Sequence, residues 1–481
     1  MQISIENLFF PINQKRSLRI DNWFLSEGKS ALICGANGSG KSVFAQLLSG
    51  KLSSASGEIQ FSRPDKLASV SFELEAEILA EDRYHNDSEF MEGGVDHGRV
   101  AREIIGNGEN LTSICDLIGI SYLLERPFKE ISTGEARKVL IAKALIKSPE
   151  LLILDEPLSG LDIKSRQEIL ELFNSLINQG VQLLLFDFYN EELPTSISHL
   201  VYLFEGNIVL EGPRKDVTQS SKWKTYTGFQ IQLPHHLPDC YHYDQLDVDC
   251  PFVETVDLEV AYNGKMVFKD LNWVFKSGEH WRISGPNGSG KSTLLSMISG
   301  DNPKAYGKDI TLFGIKRGSG ESIWDIKQHF GILSSSLHRD YRVSVTLLEA
   351  VVSGFYDSIG LYDKPTESQW RIGKEWIELL GMKGREQTPF SALSFGEQRR
   401  GLIVRAVVKL PLILLLDEPC LGLDNKNRSL VLTLIDYIAT HSRTHILFVS
   451  HDYRDELKCL NKSLEFVSGG DYYRAAISNI Y

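Results

Sequence analysis

Short apolar runs that stop at polar turns, followed by stretches of helical spacing, recur along this chain. Ser30–Cys34 and Trp281–Ser284 lead into glycine-rich turns, while Leu151–Leu154 and Leu412–Leu416 end in Asp-Glu-Pro. Runs this short, bounded by turn residues, have the length of buried strands. Strands alternating with helical patterns predict α/β domains built on a mostly parallel sheet. Segments 75–130 and 336–391 are richer in helical spacing and predict a separate helical lobe beside each sheet.

The pattern occurs twice. Gly35-Ala-Asn-Gly-Ser-Gly40-Lys41-Ser42 returns as Gly285-Pro-Asn-Gly-Ser-Gly290-Lys291-Ser292. Both fit the phosphate-binding loop G-x-x-x-x-G-K-[ST] and open an apolar helix-like run. Lys41 and Lys291 lie 250 residues apart (291 − 41), and Asp155 and Asp417 lie 262 apart (417 − 155). The second copy is therefore 12 residues longer between these motifs, and the extra segment falls near Asp301–Trp324. The organisation that follows is a first domain over 1–228, a connector over 229–252 and a second domain over 253–481.

Composition narrows the picture. A chain of 481 residues with 42% hydrophobic and 24% charged residues is ordinary for a globular protein of several domains. A formal charge of −12 argues against a general nucleic-acid binder. The six cysteines are scattered without a CxxC, which reads as reduced intracellular thiols. The N-terminal MQISIENLFF lacks a basic, apolar signal pattern, and no apolar run approaches ~18 residues. A membrane role would need another chain to cross the bilayer.

The chemistry concentrates at three motifs in each copy. In the phosphate loops, glycines let backbone N–H groups approach phosphate oxygens, and the helix N-terminus adds positive potential. Gly35, Asn37, Gly38, Gly40, Lys41 and Ser42 form one set; Gly285, Asn287, Gly288, Gly290, Lys291, Ser292 and Thr293 form the other. Each lysine would meet the β/γ-phosphates, and Ser42 and Ser292 would hold Mg²⁺. The Asp-Glu pairs fall at strand ends, where ligands bind in open α/β sheets. There Asp155 and Asp417 would bind Mg²⁺ through water, and Glu156 and Glu418 would act as general bases on water. Ile131-Ser-Thr-Gly-Glu135 and Leu393-Ser-Phe-Gly-Glu397 are Ser-x-x-Glu capping boxes. They start ordinary helices, and Ser132 or Ser394 with the N–H groups behind it could also bind a γ-phosphate.

Over nearly its whole length the chain resembles the ABC ATPase family. Phosphate loop, signature, Walker B motif and D-loop occur in that order twice, with Leu158–Asp162 and Leu421–Asp424 similar to D-loops. The resemblance implies two P-loop NTPase domains in tandem that bind and hydrolyse ATP with Mg²⁺. It also implies an intramolecular head-to-tail sandwich. Ser394 and Gly396 would complete the site of Lys41, and Ser132 and Gly134 the site of Lys291. Tyr262, 29 residues before Lys291, stands where the family stacks an aromatic on adenine.

The copies depart from the family pattern and from each other. Aligning 446–457 with 182–193 sets His451, which fits the family's γ-phosphate histidine, opposite Asp187. The Q-loop glutamine is absent: Glu73 stands in the first copy and Ser335 in the second. On these grounds the second site is expected to hydrolyse faster. The connector carries His235, His236, Cys240, His242 and Cys250, whose spacing matches no standard zinc finger. An unstructured linker is the plainer reading, and a Zn²⁺ site the alternative.

The ISTGE and LSFGEQRR signatures, the second-copy serine and the short connector look most like the ModF/PhrA group. These are twin ATPases associated with molybdate-transport operons or photorepair. The resemblance implies the ATP-binding component of a transporter working with a separate membrane permease, cytoplasmic or peripheral at the inner face of the membrane. The alternative is a soluble ATP-gated switch acting on a ribosome, nucleic acid or repair machinery.

Overall fold

The computed structural model describes residues 1–13, 16–71, 73–84, 98–189, 192–227, 236–238, 250–262, 264–334, 337, 341, 343–452 and 454–480. The chain divides into two compact units, Met1–Phe229 with Asp424–Lys426, and Gln230–Leu423 with Asn427–Tyr481.

The first unit is built on nine strands. They are β1 (Ile3–Asn13), β2 (Arg16–Leu25), β3 (Ala31–Gly35), β4 (Ser56–Phe61), β5 (Leu67–Ser71), β6 (Leu151–Asp155), β7 (Gln182–Phe186), β8 (His199–Phe204) and β9 (Asn207–Pro213). Their order in the sheet is β4-β1-β2-β9-β8-β3-β7-β6-β5. The half from β8 to β5 is parallel, and β1, β2 and β4 form an antiparallel flank. The sheet is mostly parallel, as expected, and this flank is an antiparallel addition to it. The flank's strands alternate, with the second reading buried and exposed by turns, because only one face is covered.

Strand alternation divides the core into two layers. Leu152 and Leu154 of β6 enter the layer packed on helix Thr133–Leu145, beside Leu140 and Ile141. Leu151 and Ile153 point the other way, to a layer holding Trp23, Phe44 and Phe186. A strand buried on both faces needs a continuous apolar run, which is why LLIL carries no polar residue before Asp155.

The second unit repeats the plan with β10 (Val253–Tyr262), β11 (Lys265–Phe275), β12 (Trp281–Ser284), β13 (Ile310–Leu312), β14 (Ile315–Lys316), β15 (Phe330–Leu333), β16 (Ile413–Asp417), β17 (His445–Val449), β18 (Lys462–Ser468) and β19 (Tyr473–Asn479). The order is β14-β13-β10-β11-β19-β18-β12-β17-β16-β15. β13 pairs with β10 as β4 pairs with β1, and the additional residues after it carry β14 and lead into the short helix Ile323–Lys327. The helical lobes contain Glu73–Tyr84, Ala101–Ile105 and Leu111–Ile118 in the first unit, and Leu347–Val352 and Glu367–Leu379 in the second.

Candidate nucleotide sites

Each phosphate loop leaves the C-terminal end of the strand at which chain order reverses. β3 lies between β7 and β8, and β12 between β17 and β18. Ligands bind in that crevice in open α/β sheets. Gly40 (φ 101°) and Gly290 (φ 97°) are left-handed residues just before helices Lys41–Leu48 and Lys291–Ile298. Only glycine takes this conformation without strain, so the loop can turn its N–H groups toward a bound anion. A Cβ on Gly35 would stand 2.3 Å from the Leu203 carbonyl oxygen, so the first glycine is also fixed by the close approach of β8.

Both lysines lie folded over their own loops. Lys41 Nζ donates to the Gly35 and Ala36 carbonyls at 2.8 and 3.2 Å, and Lys291 Nζ to Gly285 and Pro286 at 2.9 and 2.7 Å. Burial lowers the pKa of Lys41, opposed mainly by the negative field of Glu156. Its ammonium also sits 4.6 Å from the centre of the Phe188 ring, a cation–π contact.

In the second unit Ser292 Oγ donates to Asp417 Oδ2 at 3.0 Å. Hydroxyl and carboxylate are hard oxygen donors, and Mg²⁺ is commonly held by one or two such groups together with phosphate oxygens and water. These two residues fit that ion; Ser42 and Asp155 occupy the same positions in the first unit. Among the described residues no group of three or more His, Cys, Asp or Glu could hold a metal. His235, Cys240 and His242 of the connector lie outside the described residues.

Glu156 and Glu418 both take positive φ, 50° and 53°, at the turn after their strands. Their N–H groups donate to Phe186 O (2.8 Å) and Val449 O (2.9 Å) of the next strand. Burial, helped by Asp187, pushes the Glu156 carboxyl up to about 7. Burial, helped by Asp417 and Asp455, pushes Glu418 up to about 8. A base with a pKa near neutrality suits proton abstraction from water. Glu418 Oε1 accepts from the His451 N–H at 3.0 Å and lies 3.7 Å from His451 Nε2, so base and histidine are neighbours.

The sheet register corrects the comparison of the two sites. Asp155 pairs with Phe186, and Asp417 with Val449, so Phe186 corresponds to Val449. Asp187 therefore corresponds to Ser450, and the residue in the place of His451 is Phe188. Arg166 bonds Glu192 (2.9 Å) as Arg428 bonds Asp455 (2.5 Å), which supports the same shift by one. Asp187 is buried behind the turn, and its Oδ1 accepts from Phe188 N–H at 2.7 Å. The first unit thus presents an apolar ring, with no donor for a γ-phosphate, where the second presents imidazole. The same register sets Val70 opposite Leu333, so Glu73 corresponds to Ser336 rather than Ser335. Ser335 and Ser336 lie outside the described residues, as does the side chain of Glu73.

His451 stands on a stapled segment. Ser450 Oγ donates to Asp455 Oδ2 at 2.5 Å, and Arg428 reaches Asp455 at 2.5 Å and Asp452 at 2.9 Å. The signature helices begin with closed capping boxes. Ser132 N donates to Glu135 Oε2 (2.8 Å) and Ser394 N to Glu397 Oε2 (2.9 Å), with Gly134 and Gly396 buried in the first turn. Tyr262 ends β10 and is 40% exposed. Lys304 Nζ lies 4.6 Å from the ring centre, and Asn302 Nδ2 donates to the hydroxyl at 3.2 Å.

Two arginines went unnoticed in the sequence. Arg399, 1% exposed, donates to the Pro419 and Asp417 carbonyls at 3.1 and 3.3 Å and to that of Glu418. Burial lowers its pKa to about 10. It fixes the turn that carries Glu418. Arg137, also 1% exposed, is its counterpart and faces Glu75, Glu156 and Asp187. The available signal was an arginine two residues after the signature glutamate in both copies.

Comparison with known proteins agrees with this architecture. The family model described as "ABC transporter" matches residues 18–159 and 268–421. The chain is 39% identical over 484 residues to the ABC transporter ATP-binding protein ModF of Escherichia coli (strain K12), covering 98% of each. It is 30% identical over 365 residues to an uncharacterized ABC transporter ATP-binding protein of Schizosaccharomyces pombe, covering 75% of this chain and 73% of that protein. Among solved structures, an archaeal ribosome recycling factor crystallised with the ribosomal stalk protein aligns with a TM-score of 0.61 at 18% identity, over 98% of this chain and 89% of that one. A structure titled RNase-L Inhibitor aligns with a TM-score of 0.59, also at 18% identity, over 98% and 90%. At such identity the structural matches speak for the fold alone. With two phosphate loops, two strand-end Asp-Glu pairs and two capped signature helices in place, the chain belongs to the ABC transporter family as a tandem ATP-hydrolysing protein.

Proposed function

We propose that the protein is the ATP-hydrolysing component of a transport assembly whose membrane-crossing chain is separate. Hydrolysis is carried mainly by the second unit. The observation that carries this reading is the pairing of Glu418 with His451, set against Glu156 with Phe188 in the first unit. In the second unit Lys291 and the loop N–H groups hold the β/γ-phosphates; Ser292 and Asp417 would hold Mg²⁺, which when bound would offset charge on the phosphates. Glu418 takes the proton from the attacking water and His451 contacts the γ-phosphate. The first unit binds ATP through Lys41, Ser42 and Asp155 and turns it over slowly. Ser132, Gly134, Ser394 and Gly396 add signature contacts to phosphate, and Tyr262 stacks on adenine.

Full-length similarity to a protein named as a transporter ATP-binding protein supports the transport assignment. No helix among the described residues is long and apolar enough to cross a membrane, so a permease chain must supply the crossing. The working place is the cytoplasmic face of the membrane.

The test is capture of the partner. A tagged Glu156→Gln/Glu418→Gln protein, stalled with ATP bound, is crosslinked in cells and fractionated. Recovery of an integral membrane protein that survives a salt wash is the expected result. Recovery only in the soluble fraction, with ribosomes or nucleic acid or alone, overturns the transport assignment. It would favour an ATP-gated switch on a cytosolic partner.

A further inference from the structure

The signature helix Phe395–Val407 of the second unit begins with a large apolar residue, 51% exposed. Thr133 stands at the same point of the first unit. Half-exposed phenylalanine at a helix start contributes little to folding, so its position calls for a local reason. Its ring lies against Gly422, in the D-loop that follows Glu418. A Cβ on Gly422 would lie 2.3 Å from Phe395 Cε1 and within about 3 Å of two further ring atoms. Gly422 also takes φ 71°, so the turn is shaped to pass directly under the ring.

One turn further along, the same helix carries Arg399. Residues four apart on a helix share a face. Arg399 grips the carbonyls of Asp417, Glu418 and Pro419. Leu421 N–H donates to the Glu418 carbonyl at 3.2 Å, and Leu423 N–H to Cys420 O at 3.1 Å, which ties the D-loop turn to the base. The helix therefore holds the stretch from Asp417 to Gly422 at two points: a guanidinium at its root and an aromatic ring at its tip. In the first unit the close approach falls elsewhere: a Cβ on the signature glycine, Gly134, would lie 2.4 Å from Ser165 Oγ of helix Ile163–Asn178.

We infer that Phe395 is a positioning residue for hydrolysis in the second unit. It locks the D-loop to the phosphate-facing end of the signature helix, so that Ser394, the D-loop and Glu418 shift as one piece. This deepens the reading of the second unit as the hydrolytic one.

Steady-state ATPase kinetics on the full chain test it. Phe395→Thr, which installs the first unit's residue, should lower kcat about 3- to 10-fold with KM within about 2-fold, because the coupling and not the nucleotide grip is lost. Phe395→Tyr keeps the ring and should restore kcat. Gly422→Ala should lower kcat, and by a smaller factor in a Phe395→Ala background, where the ring no longer opposes the new methyl. Binding of a fluorescent ADP analogue should be unchanged throughout. Wild-type kcat in Phe395→Thr overturns the proposal, as does a loss in Phe395→Tyr equal to that in Phe395→Thr. Multiplicative losses in the double variant would show that Gly422 answers only to its φ, and would overturn it too. If Gly422→Ala fails to fold, the Thr and Tyr variants decide alone. Failure of the ATPase reading itself would show separately, as absent wild-type turnover.

Discussion

Replacing Glu418 with glutamine should make the protein more stable in alkali as well as inactive in the second unit. The carboxyl is pushed up to about 8 from 4.5 by burial, with Asp417 and Asp455 adding to the effect. A folded-state pKa above the unfolded one means the fold favours the protonated form. That contribution is complete below about pH 4.5 and is lost as pH rises through about 8. The full shift corresponds to at most roughly 5 kcal/mol. Water that enters as the group ionises reduces this, so about 2–3 kcal/mol is expected at pH 9. Glutamine keeps the shape, cannot ionise and escapes the cost. For a unit of this size each kcal/mol moves Tm by roughly 2–4 °C. Scanning calorimetry on protein free of nucleotide and Mg²⁺ should therefore show Glu418→Gln melting ~5–10 °C above wild type at pH 9. The gap should close toward pH 5. Parallel Tm curves for the two proteins across that range would refute the burial of an ionisable base at this position.

Two further predictions follow from the same geometry. With Glu418→Gln silencing the second unit, residual turnover should come from Glu156 and be slow; adding Phe188→His should raise it, about 10-fold or more, whereas Asp187→His should not. Equal residual rates in Glu156→Gln and Glu418→Gln would refute the difference between the sites. His280 is pushed down to about 4 by burial and by His445, whose ring stacks 5.7 Å away. Its folded pKa lies below the ordinary 6.5, so its stability contribution is present above about pH 6.5 and lost as pH falls toward 4. Tm should drop between pH 6.5 and 4.5, and a His280→Gln/His445→Gln variant should show a flatter slope over that interval.

Much of this architecture was legible because its decisive motifs are short and contiguous. The phosphate loops, the Asp-Glu pairs and the capping boxes each need neighbours in sequence, so spacing alone located them. The antiparallel flank was less visible: β1 and β2 alternate, but nothing local says whether such strands join the sheet carrying the phosphate loop. Arg137 and Arg399 escaped because their partners are main-chain carbonyls or charges distant in sequence.

The misplaced comparison of Asp187 with His451 has a physical cause as well. Matching the acidic ends of two apolar segments ignores a one-residue difference in length between Asp455 and Leu457 and its counterpart. In a strand a slip of one exchanges the two faces, so the consequence is large. Hydrogen-bond register resolves it, since Phe186 O accepts from Glu156 N–H and Val449 O from Glu418 N–H. The corrected pairing changes the reason for asymmetry. A carboxylate at the switch position would repel a γ-phosphate. A phenyl ring instead offers it no proton and rests on the phosphate-loop lysine at 4.6 Å. Lys41 can leave that ring for a phosphate at small cost, because a cation–π contact is worth roughly 0.5–2 kcal/mol. On the proposed reading the first unit therefore keeps the phosphate-loop lysine and serine while lacking the histidine of the second, which is the arrangement expected of a site that binds ATP more than it consumes it.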